Sequence, residues 1–169
     1  MKKYITFANF MVLLGIMTIL FYLIPAVSIK AADMDIYSTN VNLFIATFGG
    51  SFSISFSETV TNSYSLVACG GLIVAFFLGI VGIVLTFLKR KIKIANLFAF
   101  PFYLTAGILV ACTVPLINSV NSGTISFFLS YSLAGGAITV MTFWFILAFF
   151  ALIDFIASIA KPKQQNPAY

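Results

Sequence analysis

Four long apolar segments, separated by polar or charged breaks, limit how this chain can fold more than any other feature of its sequence. The segments are residues 5–27, 66–88, 94–117 and 133–159, each about 23–27 residues long by the difference of its bounds. A helix of that length extends about 35–40 Å, enough to cross the roughly 30 Å hydrocarbon core of a membrane. Because a backbone inside lipid must satisfy its own hydrogen bonds, each segment is expected to be a helix.

The composition excludes a water-soluble globular domain. Hydrophobic residues make up 62% of the 169 residues and charged residues only 8%, whereas soluble domains are about half apolar and about a quarter charged. The sequence therefore predicts an all-α integral membrane protein, a bundle of four transmembrane helices that forms one domain over residues 1–169. Pro115, near the end of the third segment, is expected to kink or fray that helix.

The basic residues predict the orientation of the chain in a membrane. Eight of the nine lie before the first segment, between the second and third, or after the fourth, and only Lys30 falls on the opposite side. Since basic residues are retained in the cytoplasm, both termini are expected to be cytoplasmic in a multi-pass protein of the cell membrane. The net charge of +5 then reflects topology and contact with membrane lipids, and nucleic acid is not an expected partner. The single arginine among nine cations is typical of an A/T-rich, low-G+C bacterial genome. Separately, residues 161–169 have no apolar periodicity and are expected to be disordered.

The loop of residues 28–63 on the outer side is expected to contain a β-hairpin over residues 41–57. Residues 51–57 alternate serine with apolar residues, which is the period of a half-buried strand, and Gly49-Gly50 is typical of a two-residue hairpin turn. In that register one face carries five apolar side chains: Leu43, Ile45, Phe52, Ile54 and Phe56. An isolated hairpin is marginal in water, so this face is expected either to pack on the chain's own helices or to form a partner surface.

Small residues in the second and fourth segments indicate close helix packing. Gly71, Ala75 and Gly79 recur every four residues, a spacing that lets two helices approach closely within one chain or between copies. Both segments also open on the same tetrapeptide, Ser-Tyr-Ser-Leu at 63–66 and 130–133, followed by a Gly-Gly pair. This similarity suggests either an internal duplication or convergence in a sequence rich in these residues.

Cys69 and Cys112 are expected at the same depth, near the outer ends of the second and third segments. A disulfide between them requires Cα atoms within about 7 Å, and the alternative is two inert residues in the packing.

The sequence offers little for catalysis. There is no histidine, which removes the commonest general base and metal ligand, and no phosphate-binding loop, paired carboxylates or nucleophile motif is present. No catalytic residue, cofactor or metal site is therefore expected. Asp154 is the only acid within an apolar segment, and it is expected to form an ion pair near the membrane surface with the Lys89–Lys93 cluster or Lys161.

The topology resembles that of claudin-type tetraspans, with short cytoplasmic connections, a larger first outer loop of β character and both termini inside. The outer-loop tryptophan and cysteine pair of that family are absent, because the single tryptophan is Trp144 and both cysteines lie in apolar segments. The resemblance implies an adhesion role as one alternative. The leading hypothesis is a non-enzymatic accessory subunit or organiser that contacts other membrane proteins through its outer loop. An oligomeric channel or a carrier for a small or hydrophobic solute is the other alternative.

Overall fold

The computed structural model describes residues 7–31, 37–56, 60–89, 95–121 and 129–160, and most of these are helical. The helices are α1 (Phe7–Leu20), α2 (Leu43–Phe48), α3 (Gly70–Leu88), α4 (Ala95–Ala111), α5 (Thr113–Val120) and α6 (Gly135–Ala160), and a 3-10 turn over Phe21–Leu23 follows α1. The strands are β1 (Pro25–Ala31), β2 (Ser38–Asn42), β3 (Gly50–Ser55), β4 (Thr61–Leu66) and β5 (Leu129–Leu133). The predicted disordered tail, 161–169, lies outside the described residues.

Four helices pack side by side. Helix α4 contacts both α3 and α6, and α1 contacts the same two helices. Helices α3 and α6 are long and apolar enough to cross a membrane, and α4 with α5 gives a third such segment if the bent pair is counted as one. The expectation of membrane-length helices is confirmed for these segments, but four spans are not confirmed, because the apolar helix over Phe7–Leu23 is shorter.

Two predicted segments differ from the helices in the structure for reasons that involve proline. The first segment stops being helical at Leu23, because Ile24 precedes Pro25 and is extended, with φ −83° and ψ 147°. A residue before proline is disfavoured in the helical conformation. The third segment breaks at Cys112, and its two helices differ in direction by 64°. This break lies three residues before Pro115, so the predicted kink is confirmed.

The strands form two antiparallel sheets. Strand β1 lies at the centre of a three-stranded sheet in the order β2-β1-β5, while β3 and β4 form a hairpin of their own. Residues 63–66 and 130–133, which share the Ser-Tyr-Ser-Leu sequence, therefore lie in strands that precede α3 and α6, and the helices themselves begin at the Gly-Gly pairs. The central sheet joins segments that are far apart in sequence, with Ile29 of β1 opposite Tyr131 of β5.

The predicted hairpin over residues 41–57 is wrong in its pairing. Strand β3 forms as the alternation predicts, but it pairs with β4 and not with residues 43–48, which are helical. The side chain of Asn42 explains the helix, because its Oδ1 accepts a hydrogen bond from the Ile45 N–H at 2.8 Å and caps the first turn. Among the described glycines only Gly49 has a positive φ, 81°, whereas a two-residue type I′ hairpin turn needs two such residues.

Both sheets lie at the same end of the helix bundle. Strand β1 follows α1, whereas β4 and β5 lead into α3 and α6, so these three connections meet at that end. Buried residues of the strands and of the helices belong to one continuous apolar core. Backbone hydrogen bonds also join the residues just before α3 and α6 to α2 and β1. The Cys69 N–H donates to Thr47 O at 3.0 Å, and the Ala134 N–H donates to Ala26 O at 2.8 Å. We call these five strands and α2 the β layer.

Candidate functional site

The five apolar residues expected either to pack internally or to form a partner surface lie largely inside the protein. Leu43, Phe52 and Ile54 are buried in the core, and the two others of the set, Ile45 and Phe56, are partly buried and packed against it. The ring of Phe56 also contacts the ring of Tyr37, with 5.3 Å between centroids. In this fold the apolar face of β3 packs on the protein's own residues, so it does not provide the outward surface.

The exposed face of the β3–β4 hairpin consists of small hydroxyl side chains. Three cross-strand pairs share this face: Ser51 with Ser65, Ser53 with Ser63, and Ser55 with Thr61. All six residues are exposed, and two of the pairs are hydrogen-bonded, Ser53 to Ser63 at 3.3 Å and Ser55 to Thr61 at 3.2 Å. We call these six residues the hydroxyl face. It is neutral, and it contains no aromatic or carboxylate side chain.

The three-stranded sheet repeats this division into an apolar and a polar face. Its apolar face carries Val27 and Ile29 of β1 and Tyr131 of β5, all buried. Burial raises the pKa of Tyr131, whose hydroxyl has no hydrogen-bond partner within the described part of the chain. The opposite face carries Ser28, Lys30, Ser130 and Ser132 on these two strands. Sequence reasoning missed both strands, although the alternation in Val27-Ser28-Ile29-Lys30 and Leu129-Ser130-Tyr131-Ser132 is a period-2 signal that indicates them.

The small-residue stripe of α3 packs within the chain. Ala75 is fully buried, and a Cβ built on Gly71 would lie 3.0 Å from the side chain of Leu116 in α5. A Cβ built on Gly79 would lie 2.6 Å from Cη2 of Trp144 in α6, well inside van der Waals contact. These residues therefore allow the helices of one copy to approach each other closely.

Aromatic side chains fill the centre of the bundle. The rings of Tyr103 and Trp144 stack with 5.7 Å between centroids and 19° between planes, and both residues are fully buried. The Tyr103 hydroxyl is hydrogen-bonded to Thr86 Oγ1 at 2.9 Å. The Trp144 indole faces the hydroxyl of Tyr22, but among the described residues neither group has a hydrogen bond of ordinary geometry.

Asp154 forms the predicted ion pair at the opposite end of the bundle from the β layer. Its carboxylate accepts a charge-assisted hydrogen bond from Lys89 Nζ, just beyond the end of α3. The two side chains are 16% and 23% exposed, which places the pair at the edge of the apolar core. Asp154 thus has a structural partner that explains its position in an apolar helix.

The two cysteines are free thiols in the structure, so of the two alternatives considered for them the disulfide is not formed. Cys69 is buried just before α3, and Cys112 is exposed at the break between α4 and α5. Within the described ranges, no group of three or more His, Cys, Asp or Glu side chains is placed to hold a metal ion.

Comparison with known proteins adds no family to this description. No protein-family model matches the sequence, and no curated protein matches it at a significant level.

Proposed function

We propose that this chain is a non-enzymatic, multi-pass membrane protein, an accessory or structural subunit that contacts other membrane proteins through its β layer. The observation that carries the proposal is the difference between the two faces of the β layer. The apolar face of the layer is used internally, whereas the hydroxyl face is presented outward. Neighbouring chains are then met by the neutral hydroxyl face, and the apolar face of the hairpin packs inside the protein, which is one of the two alternatives that the sequence left open.

The packing at the centre of the bundle favours this role over that of a channel or carrier. Trp144 is enclosed by Tyr103 and by the close approach of Gly79, so bulky side chains occupy the space where a solute path through one copy would run. Transport therefore needs either a rearrangement of this core or a path between copies.

The proposal includes four crossings of the membrane with the β layer outside. The 17-residue stretch Phe7–Leu23 extends about 25 Å as a helix, and a bilayer thins locally around a span of this length at modest cost. The Lys89–Asp154 end then faces the cytoplasm, in agreement with the concentration of basic residues on that side.

Cysteine labelling tests the topology. In a chain whose native cysteines are replaced by alanine, Ser130→Cys places a thiol in the β layer and Ser158→Cys places one near the other end of α6; both positions are exposed. A membrane-impermeant maleimide added to intact cells should label the first and spare the second. Labelling of both, or of Ser158→Cys alone, would contradict the proposed orientation.

Affinity purification after extraction in a mild detergent tests the contact role. The tagged chain should be recovered as a complex, either with another membrane protein or with an untagged copy of itself. A strictly monomeric chain that retains its cellular role would refute the proposal, and solute flux through proteoliposomes containing only this chain would favour the transport alternative.

A further inference from the structure

Strand β4 forms the open edge of a two-stranded sheet. Among the described strands, only β3 is hydrogen-bonded to β4, along one edge of that strand. Thr61, Asn62, Ser63 and Ser65 are all exposed along it. A two-stranded hairpin is marginal on its own, and an open edge presents unpaired N–H and C=O groups that can accept a further strand.

The usual protections against edge pairing are missing from this strand. Proteins commonly protect an exposed edge with lysine, proline, a bulge or an inward-pointing charge. The sequence Thr-Asn-Ser-Tyr-Ser-Leu of β4 contains no charged residue and no proline, and its register with β3 runs without interruption from Gly50–Leu66 to Ser55–Thr61. The edge is therefore regular, neutral and accessible.

We propose that β4 pairs with β4 of a second copy of this chain, in antiparallel orientation about a two-fold axis at Ser63. This inference rests on the proposed function, because it names the partner that the β layer contacts. The pairing produces a four-stranded sheet in the order β3-β4-β4-β3. Ser63 then lies opposite Ser63 of the second copy, Thr61 lies opposite Ser65, and Asn62 lies opposite Tyr64.

This register keeps like faces together. Residues directly opposite each other on antiparallel strands point to the same side of the sheet. Pairing about Ser63 joins odd-numbered residues to odd-numbered ones, so the hydroxyl faces of both copies become continuous and their apolar faces remain on the other side. A shift by one residue would place hydroxyl residues opposite apolar ones.

The chemistry of the strand favours an identical partner over the alternatives. A hydroxyl both donates and accepts hydrogen bonds, so a serine row complements its own copy, and a neutral strand meets its copy without like-charge repulsion. A charged protein partner would find no complementary charge on β4. A glycan would find no aromatic or carboxylate side chain on the hydroxyl face.

Disulfide trapping tests the register. In the background without native cysteines, Ser63→Cys should form a reducible dimer under mild oxidation, since opposed Cα atoms on antiparallel strands lie about 4.5–5.5 Å apart, within disulfide range. Ser53→Cys is the matched control on the same face, one strand further from the axis on each copy. Its two thiols lie on strands about 14 Å apart, so it should remain monomeric. Equal cross-linking of both variants, or none of Ser63→Cys, would overturn the register.

The introduction of a charge at residue 63 tests the interface without a covalent bond. Ser63→Lys and Ser63→Asp should each weaken self-association about fivefold or more, because like charges come directly opposite each other, and an equimolar mixture should restore it as a mixed dimer. Restoration also shows that both variants are folded. Self-association that is unaffected by either charge, or a mixture that remains monomeric, would overturn the proposal.

These outcomes separate the inference from the proposed function on which it rests. If the wild-type chain does not self-associate in mild detergent but purifies with a different membrane protein, the β4 pairing is wrong and the contact role stands. If it purifies with neither a copy nor a partner, both are wrong.

Discussion

Replacement of Gly79 by alanine is expected to destabilise the helix bundle by a steric clash with Trp144. The added Cβ would lie 2.6 Å from Cη2 of the indole, whereas carbon atoms in favourable contact are about 3.5–4.0 Å apart. The overlap is therefore about 1 Å. The indole cannot easily move away, because it is fully buried and its ring stacks on Tyr103.

The size of the effect follows from two opposing contributions. Overpacking of a well-filled core costs about 1–3 kcal/mol, and the rigid ring places this site near the upper end. Alanine regains about 1 kcal/mol over glycine in helix propensity. The net loss is about 2 kcal/mol, which lowers the melting temperature of a chain of this size by about 4–8 °C.

Tryptophan fluorescence provides a direct assay, because Trp144 is the only tryptophan in the chain. Thermal unfolding in detergent should show a lower transition temperature for Gly79→Ala, and the emission of the folded protein should change because the added methyl group is forced against the indole. Gly70→Ala is the matched control in the same helix, since a Cβ there meets no atom within 4 Å, and it should not lose stability. Wild-type stability together with unchanged emission in Gly79→Ala would refute the packing argument.

Three further predictions concern the buried polar groups, the ion pair and the thiols. Tyr103→Phe removes a buried hydrogen bond and should cost about 1 kcal/mol, whereas Tyr22→Phe removes a hydroxyl without such a bond and should be neutral or stabilising, as measured by thermal unfolding in the same detergent. Asp154→Ala should lower stability by about 1–3 kcal/mol, because Lys89 is left partly buried without its carboxylate, and the double exchange Lys89→Asp with Asp154→Lys should recover part of the loss. Under native conditions Cys112 should react with a small maleimide at least tenfold faster than Cys69, which is buried. Reduction should not change the electrophoretic mobility of the untreated protein. Equal reactivity of the two thiols would contradict the described burial.

The long helices were predictable from the sequence because their signal is local. The predicted segment 66–88 and helix α3, Gly70–Leu88, end at the same residue, since apolar composition over about twenty residues leaves few alternatives to a helix. The kink before Pro115 was predictable for a similar reason, because proline acts on the turn that precedes it.

The pairing of the strands was not predictable from the local pattern, because a strand can pair with a segment that lies far away in the sequence. The alternation of Ser51 to Ser55 correctly indicates β3, but it fits two partners, residues 43–48 and residues 61–66, with the same division of faces. The choice depends on the cap that Asn42 gives to α2 and on the single positive φ at Gly49. The assignment of the candidate surface depends on this pairing. The apolar residues considered as a partner surface lie in the core, and the serines between them form the exposed face.

The position of β1 between β2 and β5 has a consequence for how the protein is made. One neighbour, β2, is synthesised within a few residues of β1, but the other begins at Leu129, 98 positions after Ala31. At about 5–20 residues per second the ribosome needs roughly 5–20 s to supply it. Throughout that interval the nascent chain carries a half-finished sheet whose central strand is open on one side. The last strand to leave the ribosome is thus the one that pairs with the open side of the first strand, so a chain that ends before Leu129 would expose to quality control the edge of β1 that β5 covers in the finished protein.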